Sequence, residues 1–572
     1  MAKGLKGGLT DYGDAGFAAY LRRSFAASMG YSRKMLDKPV IGIAYTPSGF
    51  NNCHRHFPEL LEATKRGVHA AGGLALEFPT ISLGESFTSP TTLKFRNLMS
   101  IDTEEMIRAQ PMDAVVLMGG CDKTVPAQLM GAISADKPAV MLLAGPMLGG
   151  ALDGERLGAC TDCRRFWAKY RAGEIDAATI DRVESQLAVT AGTCAVMGTA
   201  STMACLTETL GLCLPGTAAI PAVHADRLRA AEATGELAVR MAGEDAHRPS
   251  RILDAKSLEN ALIVLLALGG STNAVLHLTA IAGRMGFDLD LGRLNELSER
   301  TPVLVNLKPT GTHYMEDFHR AGGLGAVLRE LRDLLHLDAR TVTGETLGER
   351  LEAEADAWVD RKVIAARGTP VDPVGGLVAV FGSLAPKGAI VKRSAADPRL
   401  LEHEGRAVVF ASLADLAARI DDPDLEVGAD DVLVLQNAGP TSDAAMPEAG
   451  YLPIPKQLAS KGVKDMLRIS DARMSGTAYG AIVLHVAPDA ASGGPLALVQ
   501  TGDRIRLSVE ARRLDLLVDA AELERRRAAL PGCALVPERG YAKLYAESIL
   551  QADRGCDFAF LQPGTRRPLA SD

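Results

Sequence analysis

The sequence predicts an α/β protein in two parts: an N-terminal domain on a parallel sheet with helices on its faces, and a C-terminal β-barrel-like domain with flanking helices. Three observations predict it. In the first part, short apolar runs alternate with segments of helical spacing. A stretch rich in Pro and Gly, ARGTPVDPVGG (366–376), then interrupts the pattern. Beyond it the runs become short, β-like and closely spaced, which suggests a barrel or sandwich. The expected domains are residues 1–370 and 371–572.

The N-terminal strands are read at Val40–Tyr45 (VIGIAY), Leu74–Phe78, Asp113–Met118 and Pro138–Leu143. Each is a predominantly apolar run, as expected for a buried strand. Phe57, Leu60, Leu61 and Val68 have helical spacing between the first two. Strand, helix, strand in repetition gives a parallel sheet. In the second part, strands are expected at 377–381, 389–392, 407–410, 432–436, 482–486, 504–509 and 514–518, with a closing helix near 520–529.

The chain has 572 residues, 47% of them hydrophobic, enough for a large core without crosslinks. Its net charge of −8 argues against a nucleic-acid footprint. An anionic substrate would need local compensation, for which a bound metal ion is one candidate. The amino terminus has no apolar segment of signal-peptide type, and the longest apolar run, Ala261–Leu268, is too short for a bilayer. A cytoplasmic protein without membrane partners is expected. Nine scattered cysteines argue for thiols or metal ligands rather than a disulfide framework.

Several segments could carry chemistry. In DAVVLMGGCDKTVP (113–126) a strand runs into two glycines and then Cys121, Asp122 and Lys123. Ligands of open α/β sheets bind beyond the carboxyl ends of strands, where this segment delivers a thiol, a carboxylate and an amine. Cys53, in NNCHRH, also follows a strand; His54 and His56 beside it read as supporting or loop residues rather than ligands. Cys194, in GTCAVMGTASTM, is crowded by small residues before a helix, whose N–H groups stabilise a thiolate. The spacing of these three matches no zinc-finger or ferredoxin pattern. Cys160 and Cys163 (CTDC) form a lone CxxC with no second pair, read as structural, as are Cys205, Cys213, Cys533 and Cys556. Glu85, Asp122 and Glu448 gain interest as one oxygen-rich set, which Mg²⁺ prefers. Ser475 and Thr477 supply two hydroxyls in RISDARMSGTAYG.

Together these segments resemble the dihydroxy-acid dehydratase and 6-phosphogluconate dehydratase family. NNCHRH, GGCDKTVPAQLMGA, GTCAVMGTASTM, GGSTNAVLHL, APKGAIVK and ISDARMSGTAYG occur in the family's order and span nearly the whole chain. PTTLKFRNLMS, GTASTM and RISDARMSGTAYG look like its sugar-acid branch, typified by arabinonate and xylonate dehydratases. Branched-chain biosynthetic members usually carry Tyr and Asn where this chain has Gly198 and Ser201. Two departures stand out: His54 replaces an Asn, and GPTSDAAMPE (439–448) replaces a more Gly-rich, Lys-containing loop.

The resemblance implies that Cys53, Cys121 and Cys194 hold a [2Fe–2S] cluster with one iron left open. It implies that Glu85, Asp122, Glu448 and a carbamylated Lys123 bind Mg²⁺, that Ser475 is the base, and that Thr477 binds substrate. The reaction would remove water from a 2,3-dihydroxy carboxylate, such as a pentonate or hexonate, to give a 2-keto-3-deoxy acid. A homodimer or homotetramer is also implied. Rival readings are a dihydroxy-acid dehydratase acting on 2,3-dihydroxyisovalerate, a redox iron–sulfur protein, a non-catalytic paralogue, and a zinc enzyme built on Cys160 and Cys163.

Overall fold

The computed structural model describes residues 2–9, 12–530 and 536–569; Cys533 lies outside them. The N-terminal sheet has four parallel strands: β1 (Val40–Tyr45), β2 (Leu74–Pro79), β3 (Ala114–Gly119) and β4 (Ala139–Leu143), in the order β2-β1-β3-β4. Each strand lies within two residues of its expected place. β3 and β4 are buried at every residue, which accounts for their unbroken apolar sequence. The sheet and its helices share one large apolar core.

The helix Phe57–Ala70 follows Cys53 directly and buries the face carrying Phe57, Leu60, Leu61 and Val68. It crosses the helix Ala225–Met241 at two glycines. A Cβ at Gly67 would strike the carbonyl of Glu232, and one at Gly235 the carbonyl of Thr64. Backbone therefore packs on backbone, which fixes the helix that anchors the first cysteine loop.

Two small pieces follow: a hairpin of β5 (Gly150–Leu152) with β6 (Glu155–Leu157), and β7 (Phe287–Asp288). The second part is one mixed sheet of eight strands: β8 (Val378–Val380), β9 (Gly388–Val391), β10 (Glu402–Phe410), β11 (Val432–Leu435), β12 (Arg468–Ser470), β13 (Ile482–Ala487), β14 (Arg504–Ser508) and β15 (Arg513–Leu516). Their order is β15-β14-β10-β11-β12-β13-β9-β8. The four strands from β10 to β13 run parallel, and the flanking pairs are antiparallel. Phe381, just past β8, bonds to both neighbours of Arg513, through Arg512 O at 2.9 Å and Leu514 N at 2.8 Å, so the edges meet and the sheet nearly closes. Its interior is a separate apolar core.

Seven of the eight strands match expected runs; β12 was not anticipated. The closing helix is Ala520–Ala528. β16 (Arg567–Pro568) returns to pair with β7. Among the described residues, no helix is long and apolar enough to cross a membrane.

Gly67→Ala is expected to destabilise the protein by about 1–3 kcal/mol through overpacking, read as a lowered midpoint of thermal unfolding. An unchanged midpoint would show that the two helices can separate at no cost.

Candidate active site

The site is delivered by carboxyl ends of parallel strands in both halves. β2 leads to Glu85, β1 to Cys53, and β3 to Cys121, Asp122 and Lys123. From the second sheet, β11 leads to the loop carrying Glu448, and β12 to Arg473 and Ser475. Cys53, Cys121, Cys194, Glu85, Asp122, Glu448 and Ser475 all line one cavity of about 1080 Å³.

Glu85, Asp122 and Glu448 each offer a carboxylate oxygen, and these oxygens lie within 4.8 Å of one another. Lys123 is fully buried beneath them, its Nζ 2.9 Å from Glu85, 3.5 Å from Asp122 and 3.8 Å from Glu448. Arg473, also fully buried, bonds to Glu85 at 2.8 Å, to Glu448 at 2.6 Å and to the Thr91 hydroxyl at 2.6 Å. The Thr92 hydroxyl donates to the other oxygen of Glu85.

The three carboxyls differ electrostatically. Burial opposes ionisation of Glu85, but Arg473, Lys123 and Thr92 outweigh it and hold its pKa well below the usual range. Burial prevails at Asp122 and Glu448 and pushes both upward, against the pull of Lys123 and Arg473. Lys123 is raised: burial and Arg473 favour the neutral amine, but the three carboxylates win. An all-oxygen set of this kind fits a hard divalent cation. A charged Lys123 does not, because its ammonium stands among the same oxygens. Converting that amine to a carbamate would exchange a positive charge for a negative one and remove the conflict.

The cysteines form a second group on the same cavity. Hydrogen bonding with Cys121, together with burial, pushes the Cys53 thiol well above its usual range. Cys194 faces a sulfur that sequence reasoning had read as structural: Cys160 Sγ is 3.8 Å from Cys194 Sγ. Hydrogen bonds from Cys163 and Cys194 lower the Cys160 thiol to about 3. Cys163 also lines the cavity, and its thiol donates to the Cys160 carbonyl at 2.6 Å. Cys205 and Cys213, as expected, are buried in the main core.

His54 supports this group without joining it. Its Nδ1 lies 2.7 Å from the Thr46 carbonyl, and its Nε2 accepts the Cys121 N–H at 3.0 Å. That pattern requires the neutral ring, and burial lowers the His54 pKa to about 4. His56 bonds to the Ala144 carbonyl at 2.9 Å. Neither points to a ligand role, as the sequence suggested.

Ser475 Oγ is 2.8 Å from Thr477 Oγ1. Thr477 itself is buried behind the cavity wall, and its carbonyl accepts from Thr161 at 2.9 Å. The structure thus places its hydroxyl against that of Ser475. Gly198 permits this packing, since a Cβ there would lie 2.9 Å from the Thr477 methyl. Arg473, Thr91 and Thr92 were not singled out from sequence, although all lie inside the quoted motifs.

Residues 38–350 match the dihydroxy-acid/6-phosphogluconate dehydratase N-terminal domain, and residues 362–556 match the corresponding C-terminal domain. The chain belongs to this dehydratase family. It is 46% identical to a 6-deoxy-6-sulfo-D-gluconate dehydratase of Pseudomonas putida and 47% identical to an L-arabonate dehydratase of Azospirillum brasilense, each alignment covering 96% of this chain and 95% of the relative. A dihydroxy-acid dehydratase of Syntrophobacter fumaroxidans is 39% identical, over 93% of this chain and 96% of its own. The protein is thus a hydro-lyase.

Replacing His54 by Ala in this dehydratase removes the acceptor that holds the Cys121 backbone. Were the cysteine group to hold iron, as proposed below, iron bound per chain after reconstitution should fall about 10-fold or more at limiting iron. Full loading of the variant would show that His54 does not position Cys121.

Proposed function

We propose that the protein dehydrates a sugar acid, a 2,3-dihydroxy carboxylate with a hydroxylated tail, to the 2-keto-3-deoxy acid. The observation that carries the reading is the convergence of three carboxylates, a cysteine group and Ser475 on one cavity. Cys53, Cys121 and Cys194 would hold an iron–sulfur cluster of the [2Fe–2S] type, and Glu85, Asp122, Glu448 and carbamylated Lys123 would hold Mg²⁺. When bound, these groups supply Lewis acidity, for the carboxylate and C2 oxygen at one end and for the departing C3 hydroxyl at the other.

The chain's own residues do the rest. Ser475, as alkoxide, takes the C2 proton. A serine hydroxyl is too weak a base by itself, so nearby positive charge must lower its pKa. The Thr477 hydroxyl, 2.8 Å away, can donate to that oxygen and orient it. Loss of the C2 proton and the C3 hydroxyl gives an enol, which tautomerises to the ketone. One water leaves and no electrons are exchanged with a partner.

The cavity offers donors to a hydroxylated tail, alongside apolar side chains such as Trp167, Pro453, Ile454 and Val463. Arg164 stacks on the Tyr451 ring at 4.9 Å and is paired with no carboxylate among the described residues. Lys169, Lys464 and Tyr479 also line the cavity. Burial pushes the Tyr479 phenol up to about 12, so it remains a neutral donor. The methyl groups of 2,3-dihydroxyisovalerate offer these donors nothing, whereas a pentonate or hexonate offers hydroxyls.

Pentonates, hexonates and dihydroxyisovalerate assayed for 2-keto acid should rank the sugar acids first in kcat/KM; a preference for dihydroxyisovalerate would overturn the substrate assignment. Ser475→Ala should lower kcat by about 10²–10⁴-fold while substrate still binds. Near-normal turnover would remove Ser475 as base. Mg²⁺ affinity, measured by calorimetry, should weaken as pH falls, by about tenfold per unit for each proton taken up. The weakening should begin above the usual carboxylate range, because burial has raised Asp122 and Glu448. An affinity that is flat down to the ordinary carboxylate range would contradict this ligand set.

A further inference from the structure

The CTDC segment carries a hydroxyl between its two sulfurs. Thr161, in the first turn of the helix Thr161–Arg171, is buried, and its Oγ1 donates to the Thr477 carbonyl at 2.9 Å. The bond joins the first part of the chain to the second, across 316 positions of sequence. Among the described residues, no other group donates to that carbonyl. Thr477 in turn places its hydroxyl 2.8 Å from Ser475 Oγ. A planar peptide gripped at its carbonyl has little freedom to rotate, so the Thr477 side chain keeps its aim.

Both ends of this bond are held. Asp162, fully buried, accepts from the Gly158 N–H at 2.8 Å and from Lys308 at 2.8 Å, and the Tyr314 hydroxyl lies 2.8 Å from it. These contacts pin the first turn of the helix, and Thr161 with it. On the other side, the Ser475–Thr477 turn sits on the start of the helix Thr199–Thr209. A Cβ at Gly476 would lie 2.7 Å from Thr199 N and 2.6 Å from Ser271 Oγ, and one at Gly198 would lie 2.9 Å from the Thr477 methyl. Packing therefore stops the turn from sliding, and the Thr161 bond is left to set its rotation. The helix that begins with Thr161 also carries Arg164 and Ala168, which line the cavity. One element thus touches both the substrate space and the turn of the base.

We propose that Thr161 is a positioning residue for the dehydration: by fixing the Thr477 peptide, it aims the Thr477 hydroxyl at Ser475. This rests on the reading of Ser475 as base. Thr161 itself does not line the cavity and acts only through Thr477. Losing its hydroxyl leaves a buried carbonyl without a donor, and the turn can recover one only by rotating away from its working position.

The test measures kcat and KM of the full-length, metal-loaded protein on the pentonate or hexonate it turns over fastest, together with bound iron and Mg²⁺. Thr161→Val keeps the shape of the side chain and removes the donor, whereas Thr161→Ser keeps the donor. Thr161→Val should lower kcat about 10-fold or more, with KM and both metal contents unchanged. Thr161→Ser should restore most of that loss. In a Thr477→Val background, which has no hydroxyl to aim, Thr161→Val should cost no more than about twofold further. Should Thr161→Val fail to fold by far-ultraviolet circular dichroism, Thr161→Ala is read in its place. A normal kcat without the donor, equal losses in the valine and serine variants, or losses that multiply in the double variant would each overturn the inference, as would a loss of kcat that follows lost metal. Near-normal turnover of Ser475→Ala would overturn the reading of the base and this inference with it. An inactive Ser475→Ala beside a fully active Thr161→Val would overturn this inference alone.

Discussion

Arg473 is fully buried and belongs to the second sheet, yet it bonds to Glu85 and Thr91 of the first part and to Glu448 of its own. Everything at the site depends on this guanidinium and its neighbour Lys123. Burying charge is costly unless the charges are paired, and removing one partner of a buried pair typically costs about 3–5 kcal/mol. Here three carboxyls face two cations. The excess is relieved by the upward shift of Asp122 and Glu448, which makes them the easiest of the three to protonate. The two halves of the molecule thus meet across a charge balance that a ligand can reset.

The two sheets differ in form but solve the same geometric problem. In each, the functional loops leave the carboxyl ends of adjacent parallel strands: β2, β1 and β3 in the first, β11 and β12 in the second. The parallel core of the second sheet therefore matters more than its near closure. Asp471, just past β12, ties this arrangement together. It accepts from Ala438 N–H at 3.0 Å, at the start of the Glu448 loop, and from Ala490 N–H at 2.9 Å. Burial raises its pKa to about 7 despite those bonds, so the loops hang on a carboxyl that pays heavily for its position.

What the sequence disclosed follows from where information is local. β3 and β4 are apolar at every position because both faces are covered, so they can be read from composition alone. The helix Phe57–Ala70 declares itself by its spacing. β12, three residues with a buried Arg468 held by Asp465 at its start, has no room for periodicity and was missed. Arg473 was passed over because an isolated arginine reads as a surface charge; its partners Glu85 and Thr91 lie in the other half of the chain. The neighbourhood of Cys160 stayed hidden for the same reason. A single CxxC carries little weight until folding sets its first sulfur beside Cys194, which the chain reaches only after two intervening helices.

Cys121 and Asp122 are consecutive, so the sulfur group and the oxygen group are joined through one peptide, with Cα atoms about 3.8 Å apart. Both side chains reach the same cavity. A ligand touching both groups must therefore present its binding atoms within a few bonds of one another, as a 2,3-dihydroxy carboxylate does with C1, C2 and C3. An electron carrier has no use for the oxygen group, and a simple divalent-cation enzyme has none for the sulfurs. The adjacency suits a ligand of that kind, and the rest of the cavity, lined by Arg164, Lys169 and Lys464 as well as by Trp167 and Ile454, surrounds whatever lies beyond those atoms.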